Sequence, residues 1–346
     1  MMARIGKIES IQGVRGICAI IVLLSHINCM PVSGAMGVAF FFMISGFVMM
    51  LSTENSSTIK AKDYFLKRII RLVPLYWLLT LFVYVLATIN PGWFKNTIAE
   101  IPYLLKSFFF VPYEYSTIVH DGPLLRNGWT INVEVLFYIL FFLSMKIKHQ
   151  YRGAICSGII IVFVGIQSIF QIPSPFMRGW FSFSTLYFAV GMMVFMLWKT
   201  LSQHRQFSFH RIIEVLKFPV LSVLFLLLSL VYREGALGLI VCALVFTAIV
   251  LTNHNGHYQR GFLFLGDISF SVYLIHPFVV LGVSRLIYPL EELNLTTILI
   301  SIVCIILSVL AGSVSWFIVE KHFTNFLKHK LFKPSYQETD GLKKAS

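Results

Sequence analysis

The stretch Ile11-Gln-Gly-Val-Arg-Gly-Ile-Cys-Ala-Ile-Ile-Val-Leu-Leu-Ser-His-Ile-Asn-Cys-Met30 decides the fold. A helix that crosses hydrocarbon needs about 20 mostly apolar residues. This run supplies them, but with Arg15 and His26 inside it. Ionisable groups at membrane depth are costly and are kept mainly where they perform a function. The eleven residue steps from one to the other, at about 100° each, return to within ~20° of the starting direction, ~16 Å further along the axis. Arg15 and His26 therefore share one helix face, which can line a polar path from the cytoplasmic edge of a membrane towards its outer half.

The rest of the chain fits that setting. Its 346 residues are 57% hydrophobic and 12% charged, which excludes an ordinary soluble domain. Apolar runs of spanning length predict ten transmembrane helices, at 11–30, 33–52, 73–89, 128–146, 153–170, 180–198, 215–232, 235–251, 262–284 and 296–319. The expected fold is all-α: a polytopic helical bundle forming one integral domain over 1–327, followed by a basic, polar and mobile tail over 328–346. No internal repeat is visible. The longest outside loop, about 90–127, carries Pro91, Pro102, Pro112 and Pro123. Its apolar centre, 101–111, is too short to span and is expected to lie at the interface or dip back in.

Lys and Arg concentrate on the cytoplasmic side of membrane proteins. With the N-terminus inside, the cytoplasmic segments hold 21 of the 28 basic residues and the outside loops six, Arg15 being embedded. Both termini are therefore expected in the cytoplasm. The net charge of +13 is then a matter of topology and of anionic lipid head groups, and no nucleic-acid partner is needed to explain it. Cys18, Cys29, Cys156, Cys242 and Cys304 are scattered over four spans without a CxxC pair, so neither a disulfide framework nor a metal site is read. The N-terminal run also has the outline of a cleavable signal peptide, but Arg15 and His26 are poor residues for one.

Four further groups stand out. Arg68 and Arg71, three apart in Tyr64-Phe-Leu-Lys-Arg-Ile-Ile-Arg-Leu-Val-Pro74, face the same way on a helical turn. Two guanidinium forks at the membrane surface can grip phosphate oxygens; the plain reading is a positive-inside anchor. Glu134, in Gly128-Trp-Thr-Ile-Asn-Val-Glu134, lies ~9 Å into a helix that enters from outside, on one face with Thr130 and Tyr138. It can serve as acid, base or orienter of a histidine, or simply pack the bundle. His276 precedes Pro277, which should free the carbonyl of Tyr273 and kink the helix, making a wall for an acceptor or a structural contact. Asp267, near the inner end of the same helix, is a candidate partner for Arg15.

Taken in order, Val14-Arg15 through Ser25-His26, Gly37-Val-Ala-Phe-Phe-Phe-Met-Ile-Ser-Gly-Phe47, Arg68/Arg71 through Pro74-Leu-Tyr-Trp77, Gly128 to Glu134, and Ser269-Phe-Ser-Val-Tyr-Leu-Ile-His276 resemble the acyltransferase-3 family of integral membrane acyltransferases. The resemblance implies transfer of an acyl group, usually acetyl from cytosolic acetyl-CoA, onto hydroxyls of surface glycans such as lipopolysaccharide O-antigen, in a bacterial inner membrane. It maps the family's Arg/His pair onto Arg15 and His26, its Arg-x-x-Arg motif onto Arg68 and Arg71, and its acidic residue after the Trp onto Glu134. Where many members close the last span with Glu, a basic residue and Pro, this chain has Glu320-Lys-His322.

Together these readings place acetyl-CoA phosphates on Arg68, Arg71 and Arg15. His26 is the base that deprotonates an acceptor hydroxyl, Glu134 orients or charges that imidazole, and Trp129 and His276 form the acceptor wall. An acyl-enzyme intermediate is the mechanistic alternative. A flippase for a lipid-linked glycan is the alternative function, but such proteins spread polar groups over many helices or show a repeat. The expected partners are acetyl-CoA, a glycan or lipid-linked glycan acceptor, and membrane lipids.

Overall fold

The computed structural model describes residues 9–27, 30–54, 60–94, 97–114, 122–203, 218–252, 260–286 and 294–332. Among them all regular structure is helical. The helices are α1 (Glu9–Ser25), α2 (Gly34–Ser52), α3 (Ala61–Ile89), α4 (Ile101–Phe108), α5 (Trp129–Ser144), α6 (His149–Phe170) and α7 (Pro175–Trp180). They continue as α8 (Leu186–Gln203), α9 (Phe218–Val231), α10 (Ala236–Thr252), α11 (Arg260–Leu286), α12 (Leu295–Ser315) and α13 (Thr324–Leu331), with a π-helical stretch, Trp316–Phe323, between the last two.

Seven of the described helical segments are long and apolar enough to cross a membrane, each coinciding with one of the ten expected spans. The three remaining expected spans coincide with shorter helices: α1 has 17 residues, α9 has 14 and α10 has 17. Each of these three borders residues outside the described ones. The protein is thus a multi-pass helical bundle. The side of the membrane taken by its termini stays an expectation, and Cys29 and the tail beyond 332 lie outside the described residues.

Burial is arranged for lipid. The helices α1 and α2 are buried along most of their length, whereas α6 and α12 expose apolar rows such as Ile161, Val162, Ile302, Val303 and Leu310. In water such a surface would drive association; in lipid it is the outer wall. Without a hydrophobic drive between helices, close packing comes from small residues. Gly16 of α1 sits against Leu265 and Gly266 of α11, and a side chain at Gly266 would run into the backbone carbonyl of Gln12. Gly46 of α2 and Gly191 of α8 do the same for that pair, each against the other helix's backbone.

Two stretches differ from the sequence expectation, and one between them agrees with it. The segment before span three is not a loop: α3 is one helix from Ala61, and it continues through Pro74, whose missing amide leaves the Ile70 carbonyl without its helical donor. Arg68 and Arg71 therefore stand on the body of a spanning helix. The connection after α3 contains α4, eight residues long and too short to span, as expected, and held to the middle of α3 by Tyr76 Oη donating to the Ser107 carbonyl (3.1 Å) and Trp77 Nε1 to that of Phe108 (3.0 Å). Past the last span the chain widens into the π-helical turns and then continues as α13 through Lys328.

Candidate active site

Two adjoining cavities run along the centre of the bundle. The lower, about 470 Å³, opens where α1 begins and α2 ends; the upper, about 90 Å³, continues towards the opposite end of α2. Both are lined by Arg15, Ile44, Val48, Arg68 and Arg71. Three of the arginines singled out in the sequence, from two helices, thus converge on one space.

Their bonding shows what they are free to do. Arg68 is half tied: Nη2 donates to Tyr64 Oη (3.0 Å) and to Ser52 Oγ (3.3 Å), while Ser52 Oγ and Tyr64 Oη are 2.7 Å apart. Arg15 and Arg71 have no hydrogen bond or ion pair with any described residue. Glu320 and Glu134 line the same cavities and attract Arg15 through space, and Glu320 also feels Arg71, but neither carboxylate bonds directly to either guanidinium, so the forks keep donors free for a further anion. The lower cavity also holds Lys328, Asp267 and Glu320. Asp267 accepts from Gln12 Nε2 (2.7 Å), and Glu320 accepts from Ser271 Oγ (2.5 Å).

Glu134 lines the upper cavity. It accepts from Tyr138 Oη (2.5 Å) and from Ser45 Oγ (3.2 Å). Among the described residues none of its hydrogen bonds goes to His26, and its place is beside the arginines rather than behind the imidazole.

His26 is oriented by its own helix instead. It lies just past the last turn of α1, exposed, with Nδ1 2.8 Å from the Val22 carbonyl. A carbonyl only accepts, so Nδ1 carries the proton and Nε2 is left as the basic nitrogen. The ring of His276 packs against it edge to face, with centroids 4.7 Å apart. His276 is fully buried; its Nδ1 is 3.3 Å from the Val272 carbonyl, and its Nε2 has no hydrogen-bond partner.

His26 lines neither cavity. Between the upper cavity and the histidine pair stand Phe41 and Tyr273, whose rings lie 6.0 Å apart, with Tyr273 in turn 6.0 Å from His276. This wall is anchored. Asn127 Nδ2 donates to the Tyr273 carbonyl (2.6 Å), and Tyr273 Oη donates to the Asn127 carbonyl (3.0 Å) and lies 2.9 Å from Thr130 Oγ1. These reciprocal bonds fix the start of α5, which carries Glu134, against the segment of α11 that carries His276. Trp129 stands apart from the histidines. It is 39% exposed, meets Phe42 edge-on, and lines a small outer pocket with Val38, Tyr187, Tyr232 and Glu234.

The sequence reading missed Lys328, Glu320 and Ser45 as lining groups. Lys328 fell in a stretch read as tail, Glu320 in a motif that departs from the resembled pattern, and Ser45 inside an apolar run. Only Glu320, an embedded carboxylate, carried a signal that could have found it.

A sequence model of the family described as an acyltransferase domain matches residues 8–316. The chain belongs to the acyltransferase-3 family. It is an enzyme, an acyltransferase, and the match takes in α1 to α12 and with them Arg15, His26, Arg68, Arg71, Glu134 and His276. Among curated proteins it is 29% identical to the exopolysaccharide production protein ExoZ of Rhizobium meliloti, over 73% of this chain and 78% of that one. It is 24% identical to the peptidoglycan O-acetyltransferase OatA of Listeria monocytogenes, over 75% of this chain but 42% of the relative. The chain thus spans less than half the length of that O-acetyltransferase. No solved structure matches.

Proposed function

We propose that this enzyme is a membrane O-acetyltransferase of a bacterial inner membrane. It moves an acetyl group from cytosolic acetyl-CoA to a hydroxyl of a surface glycan such as lipopolysaccharide O-antigen. The observation that carries this reading is the convergence of Arg15 and Arg71, whose forks make no direct hydrogen bond to a described residue, beside the half-tied Arg68 in one cavity of an apolar bundle. Such a site is built for a phosphorylated ligand. The relative named for exopolysaccharide production and the peptidoglycan O-acetyltransferase support a polysaccharide acceptor.

In this account the donor's phosphates rest on the arginines and its thioester end enters the narrow upper cavity past Glu134. Phe41 and Tyr273 must give way for the acetyl group to reach His26. There Nε2 removes the proton of the acceptor hydroxyl while the oxygen attacks the thioester carbonyl. The carbon–sulfur bond breaks, and the imidazolium returns its proton to the departing thiolate. His276, with its vacant Nε2, receives a hydrogen bond from the acceptor and keeps it beside His26. Trp129, on the outer surface, offers an aromatic face to the same glycan. The test is mass spectrometry of surface polysaccharide from cells with and without the protein. An added mass of one acetyl group per modified residue supports the reading, and identical polysaccharide contradicts it.

A further inference from the structure

The basic residues of the last helical turns are not alike. Lys321, His322, His329 and Lys330 are exposed, whereas Lys328 is half-buried and lines the lower cavity with Arg15, Arg68 and Arg71. Its position follows from the π-helical turns: they carry the chain past Ser315 without a break and lay α13 along the beginning of α3, where Lys67 Nζ rests 5.2 Å above the Phe332 ring. Lys328 is eight residues beyond Glu320, ~12 Å along a helix, and Lys67 is one turn before Arg71. Both relations put Lys328 at the mouth of the lower cavity. The three arginines reach into the upper cavity as well, and Lys328 does not.

We propose that Lys328 forms a subsite for the terminal 3′-phosphate of the donor nucleotide, an inference that rests on the acetyl-CoA reading above. The donor's groups come in fixed order: thioester, pantetheine, diphosphate, then the 3′-phosphorylated ribose with its adenine. Threaded thioester first, it sets its diphosphate at the depth of Arg68 and Arg71 and leaves its last phosphate at the entrance. The outermost cation of the cavity is there. A lysine suits this place, because an ammonium on a flexible stem meets a single phosphate as a point charge, whereas the forked guanidinia deeper in hold theirs in fixed geometry. The last helix, read from sequence as a tail, is thereby part of the donor site.

The experiment compares acetyl-CoA with acetyl-3′-dephospho-CoA as donors for the full-length protein in detergent or proteoliposomes. Wild type should use the dephosphorylated donor with a KM roughly ten-fold higher, the size of one charge-assisted contact. Lys328→Gln should raise the KM for acetyl-CoA by about the same factor and leave that for the dephospho donor unmoved, and Lys328→Arg should restore the preference. Equal KM values for the two donors in wild type, or a Lys328→Gln defect of the same size with both, would overturn the subsite. The wild-type comparison stands even if the glutamine variant does not accumulate. Wild type that transfers acetyl from neither donor would instead overturn the acetyl-CoA reading itself.

Discussion

The rings of His26 and His276 meet edge to face at 4.7 Å, one at the exposed end of α1 and the other fully buried in α11. The two have different work in this account, and their variants should differ accordingly. His26→Ala removes the proton acceptor and should abolish transfer while the protein still inserts and accumulates. His276→Ala should raise the acceptor KM with the donor KM little changed, at a stability loss of about 1–3 kcal/mol for an emptied core site. Steady-state kinetics with each substrate varied in turn checks both. Near-normal turnover by His26→Ala would remove the base from the scheme.

Glu134→Gln keeps the shape of the side chain and can still accept from Tyr138 and Ser45, but it removes a negative charge from the arginine cavity. Because none of its hydrogen bonds among the described residues goes to His26, the variant should change the donor side: turnover at a fixed, sub-saturating acetyl-CoA concentration changes several-fold while the acceptor KM stays put. Steady-state kinetics with each substrate varied in turn decides this. A raised acceptor KM with unaltered donor dependence would show that Glu134 acts on the acceptor side after all.

Arg68→Lys and Arg71→Lys keep the charge that topology requires and lose the planar fork. Each should weaken the apparent affinity for acetyl-CoA by about 1–3 kcal/mol per lost charge-assisted contact, with acceptor affinity little changed. Arg71 should be the more sensitive, since Arg68 already spends Nη2 on Tyr64 and Ser52. Raised salt should imitate the defect, because contacts near an open mouth are screened. Unaltered dependence on acetyl-CoA concentration would return the pair to a positive-inside anchor.

The α1–α11 contact is where the scaffold is least tolerant. A side chain at Gly266 meets backbone rather than a movable side chain, so Gly266→Val should destabilise by about 1–3 kcal/mol through overpacking. It should also separate Arg15 from α11. Thermal unfolding in detergent measures the first effect. An unchanged midpoint would mean that the two helices slide apart freely.

How far the sequence could be read follows from what each signal depends on. Embedded charges stand out against apolar neighbours, so Arg15 and Glu134 were legible, and the structure brings them to adjoining cavities together with Arg71, which the sequence placed at the membrane surface. Partnership between helices leaves no such trace. Nothing in the spacing of Glu134 distinguishes a bond to His26 from the observed bonds to Tyr138 and Ser45, and nothing around His26 announces His276, 250 residues later in the chain. Hydropathy also ends a helix too early when charge begins. The basic stretch before Pro74 and the basic turns after Glu320 both continue as helix, because lysine and arginine are good helix formers and their heads reach the interface. The helix α1 shows the opposite effect: it ends at Ser25, before the apolar run does.

The central claim is that acetyl enters as acetyl-CoA from the cytoplasmic side and leaves as an ester on a glycan. Its most direct test gives acetyl-CoA labelled in the acetyl group to sealed membrane vesicles that carry the enzyme and its glycan acceptor. The account predicts label in a base-labile ester on the glycan when the cytoplasmic face is outward, none in sealed vesicles of the opposite orientation, and none with His26→Ala in either. Equal labelling from both sides, or glycan carried across the membrane without gaining an ester, would contradict it.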